Sequence, residues 1–265
     1  MESSLCQPDE RKSCGACCGL YNFQDHSRAT LHSLLQKRTW LFKSNPDKLE
    51  IESLRGQLKK LEQPPALLKD IYNCEFLGFI DEDHKKVGCL LHPTLHQGID
   101  LRQYSFYGSE LCAGHFCLSY THLTEIEKLA VREALDDWYL YGLVITDLDL
   151  VKEFFREVQA RLGDCMRPEK FRKERARQAL SAFFALKKNW PFLAKENRLG
   201  KYYFSQGEYQ IARLEYEKRW PIKPSRFDKI LISLSSDFTS PQELTEAELI
   251  IAEKIDAFLK AYLNS

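Results

Sequence analysis

Eight of the nine cysteines in this 265-residue chain lie within its first 117 residues, three of them in the five positions of "CGACC" at 14–18. Thiols gathered this densely either pair as disulfides, hold a metal or an inorganic cluster, or carry out thiol chemistry. The first residues, "MESSLCQPDERK", include acids and a proline but no apolar run, and no stretch of about 18 apolar residues occurs anywhere. The reading is therefore cytoplasmic, without export or membrane spanning. Structural disulfides are disfavoured in that reducing compartment, and an odd cysteine count leaves at least one thiol over in any pairing scheme. Metal binding and thiol chemistry remain.

Beyond residue 117 there is only Cys165, in "LGDCMRP", read as a small apolar side chain rather than a ligand. This asymmetry divides the chain into a cysteine-cluster metal-binding part, 1–120, and a helical part, 121–265, packed against it. With 44% hydrophobic and 29% charged residues the chain has the composition of a globular protein. Lys and Arg number 38, as do Asp and Glu, so charge gives no reason to expect a nucleic acid or an anionic membrane as partner.

The expected fold class is mainly α. In the first part, "SRATLHSLLQKRTWLF" (27–42) and "DKLEIESLRGQLKKLE" (47–62) carry leucines at helical spacing. "IYNCEFLGFIDEDHKKVGCLLHP" (71–93) has two short apolar runs about the polar "DEDHKK", the pattern of a short β-hairpin with Cys74 on one strand and Cys89 on the other. A Gly-rich ligand loop carrying Cys112 and Cys117 follows.

In the second part Thr124 and Glu127 form a capping box, and Gly142 is placed to end the helix they open. Asp147 caps the next helix, which ends at Gly163, and Pro168 opens a third whose basic first half reads as a solvated face. "LGKYYFSQGEYQIARLEYEKRWPIKP" (199–224) resembles one tetratricopeptide helix pair, with Leu199, Gly200, Tyr203, Gly207, Tyr209, Ala212, Tyr216 and Pro224 in register. A possible protein partner would use this helical part. The last helix starts near Pro241 and turns Leu249, Ala252, Ile255 and Leu259 to the core.

Cys14 and Cys17 have the CxxC spacing that lets one turn aim two sulfurs at one metal, with Gly15 easing the turn. Cys18, adjacent to Cys17, serves a second site or bridges an enlarged cluster, because neighbouring side chains diverge. Eight thiols make two sets of four, and hence one or two centres, with Cys74, Cys89, Cys112 and Cys117 supplying the second half. Cys6 completes the candidate ligands. His92 and His115 could each replace a thiol. Tyr104, Phe106, Tyr107 and Phe116 are suited to a dry shell around a centre.

"SCGACCG" (13–19), "CEFL" (74–77) and "GCLLHP" (88–93) resemble the bacterial YkgJ-like CxxCxxCC cysteine-cluster family, described as zinc- or iron-chelating. The likeness covers about the first 120 residues. It carries Cys14, Cys17, Cys18, Cys74 and Cys89 over as cofactor-binding residues and implies metal chelation. Arg11 stands where the family has its leading cysteine, and Cys6, Cys112 and Cys117 enter on chemical grounds alone. A weaker resemblance, to flagellin lysine N-methylase, would imply an iron-sulfur-dependent methyl transfer. No GxGxxG, P-loop, HExxH or GxSxG motif is present.

The expectation is an iron-sulfur cluster, with zinc as the alternative, because a pair of regular CxxC knuckles is lacking. Its role would be redox or structural. The alternatives are a protein-modifying enzyme, a thiol redox enzyme using "CGAC", and a helical binding module stapled by a metal.

Overall fold

The computed structural model describes residues 4–45, 51–163, 166–194, 201–204, 207–211, 214 and 216–265. The chain divides into two compact units, Met1–Cys117 with Asp137–Gly142, and Leu118–Asp136 with Leu143–Ser265. Helix dominates. Cys165 lies outside the described residues.

In the first unit, α1 (Arg28–Lys43) begins where the Ser27 hydroxyl accepts the Thr30 N–H, satisfying a donor that the first turn would leave free. It buries Leu31, Leu34 and Leu35. Along α2 (Ile51–Lys60) the buried positions are Ile51, Leu54 and Leu58. Strands β1 (Leu77–Phe79) and β2 (Val87–Cys89) pair antiparallel, with Leu77 opposite Cys89 and Phe79 opposite Val87. The turn between them is pinned by Asp81, whose carboxylate accepts the Lys85 and Lys86 N–H groups.

Cys74 is not on a strand as expected. Its N–H donates to the Cys18 carbonyl at 2.9 Å and its own carbonyl accepts from Leu77, so a turn holds it ahead of the ladder. Helix α3 (Gly108–Gly114) carries Cys112.

The second unit starts with α4 (Leu118–His122) and α5 (Glu125–Ala134). The capping box at Thr124 is formed, with the Glu127 carboxylate accepting the Thr124 N–H at 2.7 Å. One helix from Thr124 to Gly142 was expected, but the chain breaks after Ala134 and resumes as α6 (Trp138–Ile145). Asp137 starts α6 by accepting the N–H groups of Tyr139 and Leu140, so the "DD" in "ALDDW" is a second cap. Gly142 sits inside α6 and is needed for close packing: a Cβ there would collide with the Tyr21 ring and hydroxyl.

Helix α7 (Leu148–Leu162) is capped by Asp147 and closed by Gly163 in the left-handed region. Pro168 opens a 3-10 turn, Pro168–Arg172, and α8 (Glu174–Phe184) follows, then α9 (Leu186–Asn189). Phe154 of α7 meets Phe183 at 4.4 Å and Phe258 at 5.2 Å, aromatic contacts that add to area burial.

The expected tetratricopeptide pair at 199–224 is replaced by β3 (Lys201–Phe204) and β4 (Gly207–Ile211), paired antiparallel, and a single turn of helix, α10 (Tyr216–Arg219). "KYYF" and "EYQI" are strand-favouring runs, so strand propensity prevails over the repeat register; Leu199, Gly200 and Ala212 of that register lie outside the described residues.

After α11 (Asp228–Ser233), α12 (Pro241–Leu263) packs on α8 and α7. Its buried residues include Ala247, Ile251, Ile255, Phe258, Leu259 and Tyr262, whereas Leu249 is exposed. Ile255 and Leu259 thus face the core as expected, whereas Leu249 does not and Ala252 is half-buried. Among the described residues no helix is long and apolar enough to cross a membrane.

Candidate metal centre

The "CGACC" segment forms a 3-10 turn, Ala16–Cys18, closed by Gly19 in the left-handed region (φ 78°). A Cβ on Gly19 would meet the Tyr72 carbonyl oxygen at 2.5 Å and Asn73 Cα at 2.8 Å. Only glycine suits both the dihedral and the space.

Two asparagines lash this turn to the chain before Cys74. The Asn22 amide donates to the Leu68 and Ile71 carbonyls, and that of Asn73 to the Gly19 and Asn22 carbonyls. Cys14 N–H donates to the Cys6 carbonyl at 2.8 Å. Ser13, fully buried, accepts the Val87 N–H at 2.6 Å and so ties the segment to β2.

By the charges that act on each thiol, the eight fall into two sets of four, with Cys14 also bearing on Cys18. The Cys17 and Cys117 side chains are hydrogen-bonded, and charge on Cys14 or Cys6 bears on Cys17 as well. Cys14 in turn feels Cys6 and Cys117. These four form the outer set.

Burial pushes the Cys18 thiol up, and the nearby Cys74, Cys89 and Cys112 add to the rise ahead of Cys14. Cys74 and Cys89 are pushed up to about 12 and about 11, chiefly by burial, with Cys89 acting on Cys74 and Cys112 on Cys89. Cys74 belongs to a buried apolar cluster with Phe76, Leu91 and Leu58, and Cys18, Cys89 and Tyr104 pack against it. Cys112 Sγ lies 3.3 Å from Ser105 Oγ. These four form the inner set.

The grouping differs from sequence order: Cys18 joins the later cysteines, and Cys117 joins the early ones. The consecutive residues Cys17 and Cys18 thus serve different sets. Among the described residues, no three or more His, Cys, Asp or Glu side chains stand in a geometry that would hold a metal ion as placed. No disulfide joins the eight cysteines among the described residues.

The histidine candidates differ in setting: the His92 N–H donates to the Cys89 carbonyl at 3.1 Å. His92 Nδ1 is engaged by Thr94, at 2.8 Å from its hydroxyl, and His115 is exposed. Of the four aromatic residues, Tyr104 packs on the inner cluster and charge on Cys18 or Cys74 bears on Tyr107. Phe106 and Phe116 are exposed, with Phe106 stacked on Tyr72 at 4.2 Å.

Two arginines border the inner set. Arg102 makes two bonds to Asp100, at 2.9 and 2.7 Å, and its charge favours the Cys89 thiolate. Arg38 is buried against Cys74. Reading for cysteine and histidine alone overlooks Arg38, but its sequence signal is plain: it continues the 31, 34, 35 spacing of the buried leucines of α1.

Comparison with known proteins returns no match to a family model, to a curated protein or to a solved structure.

Proposed function

We propose that the first unit is a cytoplasmic metal-binding module in which Cys6, Cys14, Cys17 and Cys117 hold one centre and Cys18, Cys74, Cys89 and Cys112 hold another. What supports this reading is the packing of Cys18 and Cys89 against the buried cluster that holds Cys74, together with the charge effects that run among the thiols of each set. Four thiolates complete a tetrahedral zinc site or an iron-sulfur cluster. We take iron-sulfur as the cofactor, with a redox or structural role, because the inner set draws single cysteines from four segments rather than from paired knuckles. The resemblance of "SCGACCG" to the YkgJ-like family supports metal chelation.

A thiol-redox role for "CGAC" fits the site less well. Reactive cysteines have depressed pKa values, whereas burial pushes Cys14 upward and the bond to Cys117, with burial, pushes Cys17 upward. Metal entry would draw the sulfurs inward and release their protons, so that binding free energy becomes folding free energy.

The test is elemental and acid-labile sulfide analysis of anaerobically purified protein, with its visible spectrum. Iron, sulfide and visible absorption are expected in the wild type, and each of Cys17→Ser and Cys89→Ser should lose about half the metal. Colourless protein with stoichiometric zinc would give the zinc form of the same reading. Unchanged metal content in both variants, or none in the wild type, would overturn it.

A further inference from the structure

Arg38 is 2% exposed, on the apolar face of α1. Its guanidinium donates to the Cys74 carbonyl at 2.9 Å and to Gln63 Oε1 at 2.8 Å, and its Nε–H has no hydrogen-bond partner. No carboxylate among the described residues forms an ion pair with it. Glu75, whose charge reaches it, is bonded to Arg55 Nε and the Tyr72 hydroxyl, each at 2.6 Å.

An arginine keeps its proton, so a buried one needs an anion nearby. Besides Glu75 and Tyr72, the groups whose negative charge would favour Arg38 are Cys74 and Cys18, both of the inner set. Neutral thiols supply no such charge. Four thiolates around one divalent ion carry a net negative charge, which a fixed guanidinium would balance in a water-poor site. For the outer set the arrangement differs: Lys12, two residues before Cys14, is also fully buried, but its ammonium is already paired with the Asp9 carboxylate at 2.6 Å.

We propose that Arg38 is the counter-cation of the inner centre, and that the two centres are therefore unequal, the inner one binding metal more tightly. This rests on the reading of the eight cysteines as two centres. Arg38 acts through the thiolates as a positioning residue and is not itself a ligand.

Cobalt(II), titrated anaerobically into the metal-free full-length chain, is the probe, because sulfur-to-cobalt charge-transfer absorption counts thiolate-bound metal. The wild type should take up cobalt in two phases. Cys89→Ser should abolish the tighter phase and Cys17→Ser the weaker. Arg38→Gln should weaken the tighter phase by about 10- to 100-fold and leave the weaker one in place, while Arg38→Lys, which keeps the charge, should restore most of the loss.

Equal affinity in the two wild-type phases, or an Arg38→Gln chain with an unchanged tighter phase or both phases weakened alike, would overturn the inference while leaving the two-centre reading standing. If Arg38→Gln does not fold, Arg38→Lys and the wild type decide: a tighter phase in Arg38→Lys weakened as much as the whole expected loss refutes the charge argument. Absence of sulfur-bound cobalt in the wild type removes the two-centre reading and the inference together.

Discussion

Replacing Gly142 with alanine tests whether this glycine is set by close packing. In an exposed helix the change would stabilise by about 1 kcal/mol. Here an added Cβ would lie 3.0 Å from Tyr21 Cζ and 3.1 Å from Cε2, and would overlap the hydroxyl. Tyr21 is buried, and its hydroxyl donates to the carbonyls of Trp138 at 3.2 Å and Tyr139 at 3.0 Å.

Overpacking costs about 1–3 kcal/mol, and pushing the ring aside loses a shared hydrogen bond worth about 1 kcal/mol. Against the propensity gain, the net is a destabilisation of about 2 kcal/mol. Urea midpoints at unchanged m-value measure it.

The Tyr21→Phe background supplies the control, since removing the hydroxyl removes the worst overlap and the bond at risk. The cost of Gly142→Ala should fall there by about 1 kcal/mol, a coupling resolvable by a double-mutant cycle. A Gly142→Ala chain as stable as the wild type, or strictly additive substitutions, would refute the packing argument.

Two further outcomes are expected. Burial, with Asp25 and Asp137 nearby and Arg28 opposing, pushes the Tyr139 hydroxyl from 10.0 up to about 12. Because the folded value is the higher, this contribution to stability is complete below pH 10 and lost as pH rises through about 12. Tyr139→Phe should therefore flatten the alkaline fall in urea midpoint over that interval; parallel slopes would contradict the assignment. In the second unit, Phe154→Ala should cost about 3–5 kcal/mol, because Phe154 is fully buried against Phe183 and Phe258. A loss below about 1 kcal/mol in thermal or urea unfolding would show that these rings do not anchor the unit.

Much of the helical frame was legible because its punctuation is local. Ser27, Thr124, Asp147 and Gly163 each act within one turn of their own position, so composition and spacing suffice. Gly142 misled because a glycine that stops a helix and one that admits a distant tyrosine look alike in sequence. In α12 the buried residues Leu244, Ala247, Ile251, Ile255, Phe258 and Tyr262 keep helical spacing, and only the choice of Leu249 over Leu244 and Ala247 as the start of the stripe missed it.

The cysteines followed the same division. The turn at 14–18 was apparent from the CxxC spacing and Gly15, and the strand ending at Cys89 from its apolar run. Membership of the two sets was not, because it depends on remote ties such as Cys74 N–H to Cys18 O and Ser13 to Val87. Arg38's place on the buried stripe of α1 was legible from its spacing, but its position beside Cys74 was not.

The ribosome releases this chain from its amino end, and under the proposed two-centre reading each centre takes its final ligand from the short stretch holding Cys112 and Cys117. On that reading an emerging chain would carry incomplete sites until that stretch leaves the exit tunnel, and both would become fillable within a few residues of synthesis. Truncations ending before and after it would display that step as an abrupt gain in metal retention by nascent chains.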